Sequence, residues 1–158
     1  MRTLVVLLAM LCCSYTSRSQ GNPVNWEFYS TKIKDTVYQL HMVARMSPSW
    51  YLYSLYNETN FPFKTVITFK PNNDIIIAEE EVKEKGVLQT ILEKSTSLTA
   101  KYYEHKVEFT KLVYIRMNRE TVLTGKIDYG ICNQSSSGQT ERKRLTEYAF
   151  FAFHKKYK

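Results

Sequence analysis

The 158 residues carry 22 Lys and Arg against 15 Asp and Glu, a formal net charge of +7 that is spread thinly along the chain. That length suits one domain with its own core, and so moderate a charge, with no dense basic block before the last residues, argues against a nucleic-acid partner. Twelve Tyr, eight Phe and two Trp against five Gly and four Pro favour strands, because aromatic side chains suit a pleated, half-buried surface.

The chain opens with Arg2, an apolar run over 4–13 and a polar stretch ending in Ser17, Arg18 and Ser19. This is the outline of a signal peptide over residues 1–19, with the mature start at Gln20. The apolar run is too short to cross a hydrocarbon core of ~30 Å, so no membrane span is expected. Cys12 and Cys13 follow Met10 and Leu11, where a lipoprotein signal would carry small residues, and both are expected to leave with the leader. Residues 20–158 then form one exported domain in which Cys132 is the remaining cysteine. In an oxidising compartment that odd count leaves no second thiol for an internal disulfide.

Apolar and polar residues alternate at Val24, Trp26 and Phe28, at Leu40, Met42 and Ala44, nearly so at Val107, Phe109, Lys111, Val113 and Ile115, and over nine residues from Leu123 through Gly125, Ile127 and Tyr129 to Ile131. Each set predicts a strand with one face inward. Shorter strands are expected at 50–53, 65–69, 75–78 and 148–153. Turn chemistry lies between them at Lys34-Asp35, Ser47-Pro48-Ser49, Pro71-Asn72-Asn73-Asp74 and Asn118-Arg119-Glu120. Seven or more short antiparallel strands at this spacing predict a β-sandwich. One segment departs from the pattern. Val87, Leu88, Ile91 and Leu92 sit at helical spacing, which predicts a short helix or an irregular loop. The basic residues Arg142, Lys143 and Arg144, with the tail from His154 to Lys158, are expected to be a solvated edge that discourages strand pairing.

No Gly-rich phosphate loop, nucleophile-elbow serine or CxxC is present, and His41, His105 and His154 are scattered, so hydrolase, nucleotide and zinc chemistry have no motif and no metal or cofactor is expected. That directs attention to Cys132, at the end of the strand predicted over 123–131 and before a small polar loop. Two readings stand level from spacing alone: a thiol that a partner can reach, or a buried small hydrophobe. A thiol attacks as thiolate, and no cation lies within the loop, so an activating charge has to come from across the fold. Asn57-Glu58-Thr59 and Asn133-Gln134-Ser135 match the glycosylation acceptor pattern and are read as chance.

The segments Asn22-Pro23-Val24-Asn25-Trp26-Glu27-Phe28, Tyr38-Gln39-Leu40, Trp50-Tyr51-Leu52-Tyr53-Ser54, Tyr102-Tyr103 before Val107-Glu108-Phe109, and Gly125-Lys126-Ile127-Asp128-Tyr129-Gly130-Ile131-Cys132-Asn133 together resemble the N-terminal domain of the thiol:disulfide interchange protein DsbD, in order and spacing across nearly the whole of 20–158. The resemblance implies an all-β, immunoglobulin-like antiparallel sandwich in the periplasm, passing reducing equivalents to thioredoxin-like or other thiol proteins, including those of cytochrome c maturation. It places the first active cysteine at Cys132, flanked by Trp50, Tyr51, Tyr53 and Asn133. The second cysteine would fall near Ser137, where the chain has none. The family's aromatic cap would fall around 94–97, which holds no aromatic residue. At least one of Trp50, Tyr51 and Tyr53 should be core, since strand neighbours point to opposite faces.

Two functions follow. In one, Cys132 alone exchanges with a two-cysteine protein through a mixed disulfide, without resolving it or storing two electrons. In the other, the sandwich is a non-redox protein-binding module. An odd cysteine also allows a disulfide-linked dimer through Cys132.

Overall fold

The structure, a computed structural model, describes residues 21–70, 72–93, 97–116, 120–134 and 140–153. The segment 1–19 expected as a signal peptide, Asn118 and Arg119, Ser137, residues 94–96 and the tail from His154 fall outside this range. Among the described residues nine strands follow in chain order: β1 (Val24–Lys34), β2 (Val37–Met46), β3 (Trp50–Tyr53), β4 (Val66–Phe69), β5 (Ile75–Ile77), β6 (Lys83–Glu93), β7 (Leu98–Ile115), β8 (Thr121–Gln134) and β9 (Thr140–Phe153). Every pairing between them is antiparallel, and no helix occurs among the described residues. The all-β antiparallel architecture expected from the alternation is the one that forms.

The alternation reads directly into burial. Val24 on β1, then Leu40, Met42, Ala44 and Met46 on β2, Tyr103, Val107, Phe109 and Val113 on β7, Leu123, Ile127, Tyr129 and Ile131 on β8, and Ala149, Phe151 and Phe153 on β9 make one buried core. Rings cross it between strands that share no backbone hydrogen bonds. Trp26 meets Tyr129 edge-on at 5.2 Å, Phe28 meets Phe151 at 6.1 Å, and Tyr38 meets Phe153 at 5.1 Å. The layer of β1, β2 and β7 therefore faces the layer of β4, β8 and β9, as in a sandwich. The edge-to-face geometry suits the ring quadrupoles.

The two layers are not separate sheets. The hydrogen-bonded order runs β1-β2-β7-β3-β8-β4, with β5 and β6 also on β7 and β9 on β8, so β3 joins them at one end. The bend that permits this lies in β7. Its register with β6 slips between Gly86 and Leu88, its β2 pairing ends at Lys106, and its β3 pairing begins at Glu104. His105, between them, has φ 60°, as expected where a bulge turns a strand.

The segment expected as a short helix or loop around Val87, Leu88, Ile91 and Leu92 is instead β6, paired with β7 from Lys83 to Glu93. All four residues are exposed. No buried face imposes period two there, so apolar pairs at 87–88 and 91–92 imitate a helical stripe on an edge strand. The remaining expected strands form, and β9 begins eight residues earlier than its apolar end suggests.

Candidate functional site

Where β3 bridges the layers, alternation divides its four residues between two faces. Leu52 joins the main core, with Trp50 packed beside it. Tyr51 and Tyr53 point the other way, into a second cluster with Phe61, Ala100 and Cys132, bordered by Phe63, Leu98 and Tyr102. A single cross-strand row runs through this face. Glu104 of β7 opposes Tyr51, Tyr51 opposes Cys132 of β8, and Cys132 opposes Arg142 of β9. Directly opposed residues share a face, so an acid, a phenol, the thiol and a guanidinium are strung along one line.

The thiol of Cys132 is buried, with 3% of the residue exposed. The Tyr51 and Tyr102 rings lie 4.9 Å apart beside it. Burial, first, pushes both phenols up from their ordinary pKa; for Tyr51 the negative forms of Cys132, Tyr102 and Glu104 add to this, and for Tyr102 those of Glu104 and Cys132. Tyr53 meets Phe61 at 5.0 Å and Phe63 at 6.0 Å, and Phe61 meets Phe63 at 6.3 Å, closing the cluster from the side of the loop 54–65.

That loop is held down by polar contacts at both ends. Asn57, itself buried, donates from Nδ2 to the carbonyls of Ser54 and Lys101 at 2.9 and 2.8 Å, and accepts from the Lys101 amide at 2.7 Å. The Glu84 carboxylate accepts from the Ser54 hydroxyl at 2.6 Å, the Leu55 amide at 2.7 Å and the Tyr103 hydroxyl at 2.8 Å. Thr65 donates to the Tyr53 carbonyl. In its middle the loop crosses β8 at Gly130, where an added Cβ would lie 2.3 Å from the Phe63 carbonyl oxygen. Arg144 of β9 donates to the Pro62 carbonyl at 2.5 Å.

Of the residues singled out from the sequence, the fold brings Tyr51, Tyr53 and Cys132 together on one face. Trp50 and Asn133 oppose each other in register and lie on the other face. The Lys143 ammonium sits 5.6 Å over the Trp50 ring, and the Asn133 Oδ1 is buried without a hydrogen-bond partner among the described residues. Ser137 lies outside the described residues, as does most of the segment 94–97. Within the basic run 142–144, expected as a solvated edge, Arg142 pairs in register with Cys132 and Arg144 also donates to the loop. Sequence reading missed Arg142, Phe61 and Phe63. The run Phe61-Pro62-Phe63, two rings around a proline after the polar stretch Asn57 to Asn60, was the available signal; nothing local marks Arg142.

Among the histidines, His41 bonds Glu108 through Nδ1 at 2.6 Å and Thr31 through Nε2 at 2.5 Å, under the stacked ring of Tyr29. Both ring nitrogens are satisfied by neighbours on the outer face of β1, β2 and β7, remote from the thiol.

No protein-family model matches the chain, and no curated protein matches it. Among solved structures, the chain is similar to the DsbD N-terminal domain of Neisseria meningitidis in its reduced form, with TM-score 0.45 and 9% identity over 85% of this chain and 91% of that one. It is similar also to the N-terminal periplasmic domain of ScsB from Proteus mirabilis, with TM-score 0.46 and 9% identity over 80% of this chain and 44% of that one. No residue role in this chain rests on either likeness.

Proposed function

We propose that this is an exported domain of the thiol-disulfide interchange type, in which Cys132 forms a mixed disulfide with a thioredoxin-like or other thiol protein once its cover moves aside. The observation that carries this reading is the row Glu104, Tyr51, Cys132, Arg142. Arg142 on β9, in register with Cys132, is a cation of the kind that the loop after Cys132 lacks, and a guanidinium brought close to a thiol favours the thiolate.

In the exchange the Cys132 thiolate attacks one sulfur of a partner disulfide. One S–S bond breaks as another forms, and the second partner sulfur departs as thiolate. Net two-electron reduction needs a further thiol from outside this domain, so the domain does not turn over by itself. Burial at 3% keeps Cys132 from indiscriminate oxidation, and a disulfide between two copies would require both covers to open.

The same burial favours a second reading, a non-redox binding module in which Cys132 only packs. Trapping separates the two. The purified protein, incubated with a two-cysteine thioredoxin variant whose resolving cysteine is replaced and whose remaining cysteine is activated as a mixed disulfide, should form a covalent complex that reductant releases. Cys132→Ala should keep the thermal midpoint within a few degrees and lose the complex entirely. Absence of any complex with the wild-type chain would leave the binding module as the reading.

A further inference from the structure

Among the described residues the sheet has several open edges, and most carry some protection of their own, the uncharged end of β9 from Tyr148 to Phe153 less than the rest. On β1 the far end holds Lys32 and Lys34, β9 holds Arg142, Lys143, Arg144 and Glu147, and β4 and β5 are only four and three residues long. Charges and short length are how sheets avoid edge-to-edge pairing. β6 pairs with β7 on one side and with no strand among the described residues on the other. Its stretch from Gly86 to Leu92 has no charge, and Val87, Leu88, Ile91 and Leu92 are 75%, 43%, 39% and 65% exposed.

We propose that this edge pairs antiparallel with β6 of a second copy of the chain, about a two-fold axis through Thr90. The occupant follows from the register. A two-fold axis normal to a sheet keeps each face, so opposed residues must share parity. Centring on Thr90 sets each protomer's Leu88 against the partner subunit's Leu92, with the two Thr90 side chains between them on the same face. Ile91 falls opposite the partner subunit's Gln89, and Val87 opposite the partner subunit's Glu93. No like charges oppose one another. The outer backbone groups of β6 gain partners while four apolar side chains per copy leave water. A seven-residue edge is small for an interface, so the dimer is a weak one.

The test is sedimentation velocity on the processed chain with reductant present, from micromolar to millimolar concentration. The wild type should move towards twice the monomer mass as concentration rises. Two double variants, Leu88→Lys with Leu92→Lys and Leu88→Glu with Leu92→Glu, should each stay monomeric with thermal unfolding unchanged, because these positions are exposed. Mixed in equal amounts they should regain a dimer, since Lys then opposes Glu at both ends. A wild type that stays monomeric throughout, even if the edge takes up an added extended apolar peptide, overturns the proposal. So does a lysine variant that dimerises as the wild type does.

Discussion

Gly130 and Tyr103 show how single atoms set the site. At Gly130 the backbone of Phe63 passes so close that a Cβ has nowhere to go, meeting carbonyl oxygen at 2.3 Å and Phe63 Cβ at 2.5 Å. Gly130→Ala should therefore lift the loop 54–65, cost about 1–3 kcal/mol on the scale of overpacking changes, and speed reaction of Cys132 with a thiol reagent; denaturant melts and reaction rates check both. Tyr103 is pushed up from its ordinary pKa by burial and by its bond to the Glu84 carboxylate. A phenol raised in the folded state binds its proton more tightly there than when unfolded. Its stabilising contribution is complete below the unfolded pKa of ~10 and is lost as pH rises through the folded value. Stability should fall steeply above about pH 10, and Tyr103→Phe should make that alkaline decline shallower, measured by urea unfolding across pH. Asn57 makes a related point about sequence patterns. Its amide holds three backbone groups in a buried position, so a glycan on Nδ2 would undo the loop, and the acceptor-like Asn57-Glu58-Thr59 is explained by packing.

At the scale of elements, the bend in β7 and the bridging of β3 build the thiol face together. His105 occupies the left-handed region at φ 60°, where His is tolerated and β-branched residues are strained. His105→Val should cost about 1–3 kcal/mol and disturb the β3 pairing, while His105→Gly should be neutral or slightly stabilising; thermal melts of the two variants decide this. Strand β3 itself was legible from Trp50 to Tyr53, and the requirement that neighbours face opposite ways already implied a core residue among its aromatics. Which side was core was not legible. It depends on β3 lying between β7 and β8, a long-range pairing that no local pattern records. Strand β6 was misread for the opposite reason. Its apolar residues face solvent on both sides, so the periodicity that marks a buried face had nothing to report.

For the whole molecule, the alternations on β1, β2, β7 and β8 specified an antiparallel sandwich because those strands each bury one face, and burial with period two is what sequence displays most clearly. The joining of the layers through β3 was hidden, and with it the register pairing of Arg142 with Cys132 and the packing of the loop rings against it. Cys132 could be found from composition alone, but its environment is assembled from β3, β7, β8, β9 and the loop 54–65. Cys132 is buried among Tyr51, Tyr102, Phe61 and Phe63, so the proposed exchange requires that this cover open.

The most direct test is the rate at which Cys132 reacts with an aromatic disulfide reagent in the folded wild type, in folded Tyr51→Ala and in the unfolded chain. Local opening worth a few kcal/mol predicts a folded wild type roughly a hundredfold slower than the unfolded chain, with Tyr51→Ala in between. A folded wild type that reacts as fast as the unfolded chain, or a Tyr51→Ala variant no faster than wild type, would contradict the account.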